Sequence, residues 1–233
     1  MSIAKNVDIV LENVAKAAAR AGRKAEDITV IGVTKTVDIK AVTEMVRCGI
    51  TIAGENRVQE LLSKKKALES TLPELKFHMI GHLQTNKARD AVLAAEMIHS
   101  LDSIKLAEEL NKWAARAGKK MDVLAQINIA NENTKFGISI GEVWHFIETF
   151  AKFDHLHVRG LMCMAPFVEK PEENRPYFKK MTEFFIDINA KLRYPDNVQM
   201  DTLSMGMTQD YMIAIEEGAT MVRIGTAIFG SRS

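Results

Sequence analysis

The sequence of 233 residues has little of several things that mark specialised classes of protein. It holds 2 cysteines, 5 prolines and 6% aromatic residues, and no apolar run approaches the length needed to cross a bilayer. Lys plus Arg number 31 and Asp plus Glu number 30, so neither sign of charge dominates. These shortages argue against a disulfide scaffold, a membrane-spanning protein and a basic nucleic-acid-binding domain.

The two cysteines give a hint about the cellular compartment. Cys48 and Cys163 follow neither a metal-ligand spacing nor a redox-motif spacing, so reduced thiols are expected. The N-terminal residues carry apolar side chains at helical spacing among charges, and they lack the pattern of a cleavable signal. We therefore expect a cytoplasmic protein.

Eight segments rich in β-branched residues are each followed by a helical pattern, after one leading helix. The strand candidates are 27–35, 51–54, 76–81, 97–102, 121–129, 156–164, 199–205 and 220–225. Gly49 is placed to end the helix after the first strand, and Asp102 to cap the helix after the fourth. This pattern predicts an α/β fold: one domain, residues 1–233, forming a (β/α)8 TIM-like barrel with an extra N-terminal helix. A doubly wound open sheet is the alternative, although it usually has fewer strands.

Lys35 stands at the carboxyl end of the first predicted strand, which is where barrels carry their working residues. A buried ammonium is costly unless it is paired or neutral. A partly desolvated lysine can react with a carbonyl group and form a Schiff base. The alternative is an ordinary solvated lysine at a strand end.

Segments 201–210 and 222–230 put glycine beside hydroxyl residues directly after strands seven and eight. Barrels commonly bind phosphate at this position, because glycine lets backbone N–H groups approach the ligand. The side chains of Ser204, Thr208 and Thr226 could add hydroxyl donors. Ordinary strand–helix turns use the same residue types, so this pattern alone leaves both interpretations open.

A Schiff-base lysine with a phosphate site fits pyridoxal 5′-phosphate, and it also fits an aldolase acting on a sugar phosphate. Arg223 favours the first, because it lies two residues before Gly225 and faces the same side of the strand. There it would donate to the pyridine nitrogen and keep it unprotonated, which weakens the cofactor as an electron sink. A structural ion pair at the barrel rim is the alternative role for Arg223.

Seven motifs, in this order along the chain, carry a resemblance to a known family. They are VTKT (33–36), GENRVQE (54–60), FHMIGHLQTNK (77–87), QINIANENTKFG (126–137), RGLMCMAP (159–166), DTLSMGMTQD (201–210) and MVRIGTAIFG (221–230). Together they resemble the pyridoxal phosphate homeostasis family, also called the YggS/PROSC family, over essentially the whole chain.

The resemblance implies a barrel like the N-terminal domain of alanine racemase, in which Lys35 holds pyridoxal 5′-phosphate covalently as an internal aldimine. It also implies a set of further cofactor contacts. These are Ser204, Met205, Gly206, Gly225 and Thr226 at the phosphate, Arg223 at the pyridine nitrogen, and Asn56, His78 and Met164 near the ring. Lys135 matches a family lysine near the mouth of the site, where a solvated loop lysine is the alternative.

Racemisation needs an acid–base group on each face of the cofactor. In alanine racemase a tyrosine from the partner subunit's second domain serves one face. This sequence stops after strand eight, so we expect no such domain, and Tyr177, Tyr194 and Tyr211 fall in predicted helices or adjoining turns. The resemblance thus implies a pyridoxal phosphate homeostasis protein without turnover, a monomer or weak dimer that could supply apo-enzymes. A pyridoxal-phosphate-dependent racemase or related enzyme is the alternative.

Two other clusters contain residue types that bind metal ions or nucleic acids in some proteins. His78 and His82 are four residues apart, as in helical zinc sites, but Gly81 and the strand context argue against a helix there. No metal is expected. The lysine run at 64–66 predicts a solvated helix face, and no aromatic residues are interleaved with it, so no nucleic-acid partner is expected.

Overall fold

The structure is a computed structural model that describes residues 2–130, 132, 136–191 and 196–230. Eight parallel strands form a closed barrel in chain order. They are β1 (Thr29–Val33), β2 (Ile52–Glu55), β3 (Lys76–Met79), β4 (Met97–Leu101), β5 (Met121–Ile127), β6 (Leu156–Cys163), β7 (Val198–Met207) and β8 (Met221–Ile224). All eight predicted strands are confirmed, with ends that move by no more than two residues.

The barrel closes through pairing of the first strand with the last. β1 and β8 run parallel in a register from Thr29 opposite Met221 to Gly32 opposite Ile224. This pairing confirms the TIM-like barrel and rules out the open sheet, which has two unpaired edge strands and does not close on itself.

Nine α-helices lie in the described part of the chain and surround the barrel. They are α1 (Ile3–Arg20), α2 (Ile39–Arg47), α3 (Val58–Leu68), α4 (Ala88–Ala94), α5 (Ile104–Arg116), α6 (Val143–Glu148), α7 (Arg175–Lys191), α8 (Tyr211–Glu216) and α9 (Thr226–Phe229). Helix α1 precedes the first strand, as predicted, and packs on α2, α8 and α9. None of the helices described has both the length and the apolar character needed to cross a membrane.

The ends of two helices test the capping predictions. Gly49 has φ +98° just after α2, so it ends that helix as predicted. The prediction for α5 is wrong by one residue. Ser103 is the N-cap and its Oγ accepts the Leu106 N–H at 3.3 Å, because Asp102 is engaged with His82, with 3.2 Å between the carboxylate and Nδ1.

The barrel interior holds an apolar cluster and a set of polar side chains. The apolar cluster consists of Met97, Leu124, Met162 and the half-buried Met221. Two residues further along β4 and β8, on the same inward face, stand His99 and Arg223. The upper interior is therefore polar, and it lies directly beneath the loops at the carboxyl ends of the strands.

The pairing of β6 with β7 depends on Gly160. A Cβ added there would lie 1.8 Å from the carbonyl oxygen of Thr202, and the glycine has φ +152°. The register of the two strands shifts at this point. Glycine is required here because any side chain would collide with the backbone of the next strand.

Candidate functional site

Lys35 is half-buried in the turn between β1 and α2, two residues after the strand ends. The next residue, Thr36, has φ +60°, and it is the one non-glycine residue with positive φ in the described ranges. A β-branched residue rarely adopts this conformation, so contacts around the turn must hold it there.

Helix α3 supplies those contacts on both sides of Lys35. The Lys64 ammonium donates to the carbonyl oxygen of Thr34 at 2.5 Å, and the Glu60 carboxylate accepts the N–H of Thr36 at 2.8 Å. Glu60 and Lys64 stand one helical turn apart, so a single face of α3 binds both neighbours of Lys35.

A buried ion pair lies beneath this turn. Lys64 Nζ is 2.6 Å from Glu55 Oε1, which also accepts the Thr34 hydroxyl at 2.6 Å. The Glu55 side chain is 0% exposed and that of Lys64 is 9% exposed. The prediction of a solvated lysine face is therefore wrong for Lys64, although Lys66 on the same helix is exposed.

The turn between β8 and α9 lies beside the Lys35 turn. A Cβ added to Gly225 would be 3.3 Å from the Cβ of Val33, at the end of β1. The N–H groups of Gly225 and Ala227 both point at the Thr208 hydroxyl oxygen, at 3.2 and 3.5 Å. The turn thus presents converging N–H donors to one oxygen, and Thr226 beside them is exposed.

A cleft of about 450 Å³ connects the two turns. Its lining residues come from the β1–α2 segment, the β8–α9 segment and the start of α1. They are Ile3, Val33, Thr36, Val37, Asp38, Ala41, Gly225, Thr226, Phe229 and Gly230. The cleft reaches the two turns through Thr36 and Gly225, and neither Lys35 nor Arg223 is among its lining residues.

Arg223 lies inside the barrel below these turns, with 4% of its surface exposed. Its Nη1 donates to the Ser204 hydroxyl at 2.6 Å and its Nη2 donates to the Cys163 carbonyl oxygen at 2.9 Å. Its hydrogen bonds to described residues leave the Nε–H unused. Burial lowers the pKa of the Arg223 guanidinium from its usual value. This position excludes the alternative of an ion pair at the rim.

Ser204 begins a chain of hydrogen bonds that crosses the interior. Its Oγ lies 3.0 Å from His99 Nδ1, and His99 Nε2 lies 3.0 Å from His78 Nδ1. Because Arg223 can only donate, the Ser204 hydroxyl accepts a hydrogen bond from it and donates its own hydrogen bond to His99 Nδ1. His99 then carries its proton on Nε2 and donates to His78.

The two histidines in this series of hydrogen bonds, His78 and His99, are buried and neutral. Desolvation lowers the pKa of His78 to about 4, and Lys76 adds a smaller effect in the same direction. Desolvation also holds the pKa of His99 well below its usual range, with His78 and Arg223 contributing. The interior chain therefore keeps one protonation state throughout the neutral pH range.

The structure separates the residues that were expected at the phosphate. Ser204 is fully buried and engaged with Arg223 and His99, so it supports Arg223 from behind. The Met205 side chain packs in the core outside the barrel, which leaves its backbone near the turn. Gly206 has φ +90°, and a Cβ there would lie 2.5 Å from the Cβ of Ala214.

The residues expected near the ring lie at different depths. Asn56 is half-buried just after β2, and a Cβ on Gly81 would be 2.5 Å from its carbonyl oxygen. His78 lies on β3, as predicted, but points into the interior chain. Met164 was expected on strand six and instead follows β6 as a loop residue with 37% exposure, because the strand ends at Cys163.

The histidine pair that resembled a zinc site is split between two environments. His78 is in the interior, whereas His82 at the rim pairs with Asp102 and stacks on Phe136 with 3.7 Å between ring centroids. The described ranges contain no cluster of three or more side chains suited to a metal ion. Lys135, expected near the mouth, lies outside the described residues.

The motif analysis missed His99, Glu55, Glu60 and the role of Lys64. The sequence did contain a signal for two of them, because His99 and Glu55 are polar residues within otherwise apolar strands. The i, i+4 spacing of Glu60 and Lys64 indicates a pair on one helix face. It does not say that this face turns inward.

The chain was compared with known families and proteins. A family model described as the alanine racemase N-terminal domain matches residues 6–233. The pyridoxal phosphate homeostasis protein of Aquifex aeolicus is 40% identical over 232 residues, which cover 100% of this chain and 99% of that protein. The corresponding protein of Haemophilus influenzae is 37% identical over 233 residues, covering 100% and 97% of the two chains.

Solved structures agree with these matches. The crystal structure of an unknown protein from Bifidobacterium adolescentis superposes with a TM-score of 0.90 at 32% identity, covering 97% of this chain and 94% of the other. PipY of Synechococcus elongatus, solved with PLP bound, superposes with a TM-score of 0.80 at 31% identity, covering 93% and 100%. Alanine racemase of Clostridium difficile shares the fold alone, at 17% identity, with 57% of its chain covered. The chain therefore belongs to the pyridoxal phosphate homeostasis protein family, within the wider family of alanine racemase N-terminal domains.

Proposed function

We propose that this protein binds pyridoxal 5′-phosphate and contributes to its homeostasis in the cell, holding the cofactor as a Schiff base with Lys35. The observation that carries the proposal is the meeting of three features on neighbouring strands. The half-buried Lys35 follows β1, and the glycine turn at Gly225 and the buried Arg223 belong to β8. The name of the Aquifex relative and the PLP-bound state of PipY support the same cofactor.

The described residues fit the chemistry of this cofactor. Its aldehyde reacts with an amine to form an imine, and Lys35 is the half-buried amine in the turn after β1. The N–H groups of Gly225 and Ala227 converge on the Thr208 hydroxyl oxygen, and a phosphate oxygen that took its place would accept from the same donors, with the Thr226 hydroxyl nearby. The backbone of Met205 and Gly206 would complete the phosphate side.

The ring side would be formed by Arg223, whose Nε–H has no hydrogen-bond partner among the described residues and suits the pyridine nitrogen as acceptor. Ser204 and the Cys163 carbonyl hold the other end of the guanidinium. Asn56 and Met164 would lie toward the ring from the loops after β2 and β6.

The same arginine favours storage of the cofactor over turnover. A guanidinium leaves the pyridine nitrogen unprotonated, which makes the ring a weaker electron sink than one paired with a carboxylate. Of the tyrosines in the described ranges, Tyr177 is in α7 and Tyr211 is buried at the start of α8. Neither stands at a strand end where it could act as a second acid–base group, and Tyr194 lies outside the described residues.

The wider role follows from reversible imine chemistry. A cofactor held by an imine can pass to another amine without new chemistry, so apo-enzymes that use pyridoxal phosphate are the proposed recipients. A cytoplasmic location and a monomer or weak dimer are part of the proposal. The free thiols of Cys48 and Cys163 fit a reducing compartment.

The proposal is tested by the absorption spectrum of the purified protein with added pyridoxal phosphate, before and after borohydride. We expect a visible imine band in the parent protein and in Lys66→Ala, and no such band in Lys35→Ala. Borohydride should remove the band and fix the cofactor on Lys35, as read by peptide mass. A parent protein without the band would overturn the proposal and return the aldolase interpretation.

The racemase alternative needs a separate assay on the loaded protein. Conversion of a D- or L-amino acid that is lost in Lys35→Ala would establish turnover and overturn the non-catalytic part of the proposal. The absence of conversion across a panel of amino acids, with the imine band present, would support a storage protein.

A further inference from the structure

The two peptide groups that flank Lys35 are both held by side chains of α3. The Thr34 carbonyl belongs to the peptide before Lys35 and accepts from Lys64 at 2.5 Å. The Thr36 N–H belongs to the peptide after Lys35 and donates to Glu60 at 2.8 Å. Peptide groups are planar, so fixing both of them fixes the two backbone torsions of the residue between.

Fixing these torsions sets the direction in which the Lys35 side chain leaves the backbone. The following residue, Thr36, has φ +60°, a conformation that a threonine leaves readily when nothing opposes it. The hydrogen bond to Glu60 opposes it, since its acceptor is anchored on a regular helix. The turn is thus held by this bond together with its own hydrogen bond, from the Val37 N–H to the Thr34 carbonyl oxygen at 2.9 Å.

The base of this arrangement is rigid because it is buried and charged. Lys64 donates to Glu55 as well as to Thr34, and the Thr34 hydroxyl donates to the same Glu55 oxygen. Such a closed set of hydrogen bonds in a site of low dielectric allows little movement. The Oε2 atom of Glu55 is buried without a partner among the described residues, so the carboxylate depends on Lys64 and Thr34.

We propose that Glu60 and Lys64, with Glu55 beneath them, are positioning residues that aim the amine of Lys35 into the cofactor site. This inference rests on the proposed function, because it concerns the efficiency with which Lys35 forms its imine. The three residues act on Lys35 through the backbone of the turn.

The test compares two cofactor forms that differ only at the reacting group. Pyridoxal phosphate forms the imine, whereas pyridoxamine 5′-phosphate has the same ring and phosphate but no aldehyde. In Glu60→Ala we expect the imine formation constant to fall about tenfold, as for loss of a hydrogen bond to a charged group. Affinity for pyridoxamine phosphate should stay within about twofold. In Glu60→Gln the amide oxygen still accepts, and we expect most of the parent constant to return.

A second readout needs no cofactor. Hydrogen exchange of the Thr36 amide in the unloaded protein should be faster in Glu60→Ala than in the parent and in Glu60→Gln. Lys66→Ala, on the exposed face of α3, is the matched control and should change neither readout. The double variant Lys64→Met with Glu55→Gln removes both buried charges together. The amide oxygen at position 55 can still accept the Thr34 hydroxyl, so this variant tests the positioning role of Lys64 without leaving a buried charge unpaired.

The outcomes separate the possibilities. An unchanged imine constant in Glu60→Ala overturns the inference, and so does an equal loss of affinity for both cofactor forms, which indicates a purely structural role. A parent protein without an imine band overturns the proposed function and the inference with it. In that case the Thr36 exchange rates still show whether α3 holds the turn, so the two failures are distinguishable.

Discussion

Arg223 and Ser204 are joined by a 2.6 Å hydrogen bond inside the barrel, from Nη1 of the arginine to the serine hydroxyl. The bond connects β8 to β7 at the level where the interior changes from apolar to polar. It orients the guanidinium and also sets the direction of the chain that continues through His99 to His78. The orientation of Arg223 in the candidate site therefore depends on Ser204, and Ser204 is in turn joined to the two buried histidines.

Replacing Ser204 should cost stability. Ser204→Ala leaves Arg223 and His99 without a shared partner in a buried site, and we expect the free energy of unfolding to fall by about 1–3 kcal/mol. Urea unfolding followed by circular dichroism measures this change. Ser63→Ala, at an exposed position of α3, is the control. Equal midpoints for the two variants would contradict the assignment of the interior chain.

The buried histidines should make stability depend on pH in a particular window. The pKa of His78 is about 4 in the folded protein and near 6.5 when unfolded, so the unfolded state binds more protons between these values. Stability is fully present above pH 6.5 and falls as pH drops toward 4. The loss from this group is about 3 kcal/mol.

Urea unfolding at pH 7 and pH 4 measures this pH dependence. The difference in unfolding free energy should shrink in His78→Gln, because the amide does not titrate. It should persist in His145→Gln, whose histidine is exposed. A pH dependence that is identical in all three proteins would contradict the neutral, buried state of His78.

Breaking the buried ion pair should be more damaging than removing it. Lys64→Met leaves the Glu55 carboxylate buried and uncompensated, and we expect a loss of about 3–5 kcal/mol. Lys64→Met combined with Glu55→Gln should lose clearly less. Lys66→Met is the control. Chemical unfolding measures these losses. Equal free energies of unfolding for the single and the double variant would contradict a buried ion pair.

The two glycines Gly160 and Gly141 make a matched pair. Gly160→Ala drives a Cβ into the carbonyl of Thr202, and we expect a loss of about 3 kcal/mol or failure to fold. A Cβ on Gly141 meets nothing within 4 Å, so Gly141→Ala should be nearly neutral. The melting temperatures of the two variants measure the difference, and similar values would contradict the close approach of β6 to β7.

The two thiols should differ sharply in reactivity. Cys163 is fully buried beside the interior chain, and desolvation raises the pKa of its thiol to about 12. Cys48 is half-buried at the end of α2. Ellman's reagent should therefore modify Cys48 in the native protein and Cys163 only in denaturant. Prompt modification of both thiols under native conditions would contradict the packing of β6.

The sequence predicted the barrel well, because each strand is an apolar run next to a helical period and the pattern repeats eight times. The same local reasoning predicted the position of Lys35 just after the first strand, as a charge at the end of an apolar run, whereas its role stays a prediction. Local logic fails for Lys64, since its surroundings are made by Glu55 and Thr34 from two other elements. It also fails to predict the partners of Ser204, because His99 and Arg223 come from two other strands whose position depends on the closed barrel.

The seam between β1 and β8 joins the first strand of the ring to the last, and the candidate site straddles it. A chain that is still being made carries Lys35 early but has no Arg223 and no Gly225 turn until β8 has emerged and paired. A small molecule held at this seam can bind only the finished ring, and it stabilises that ring by mass action.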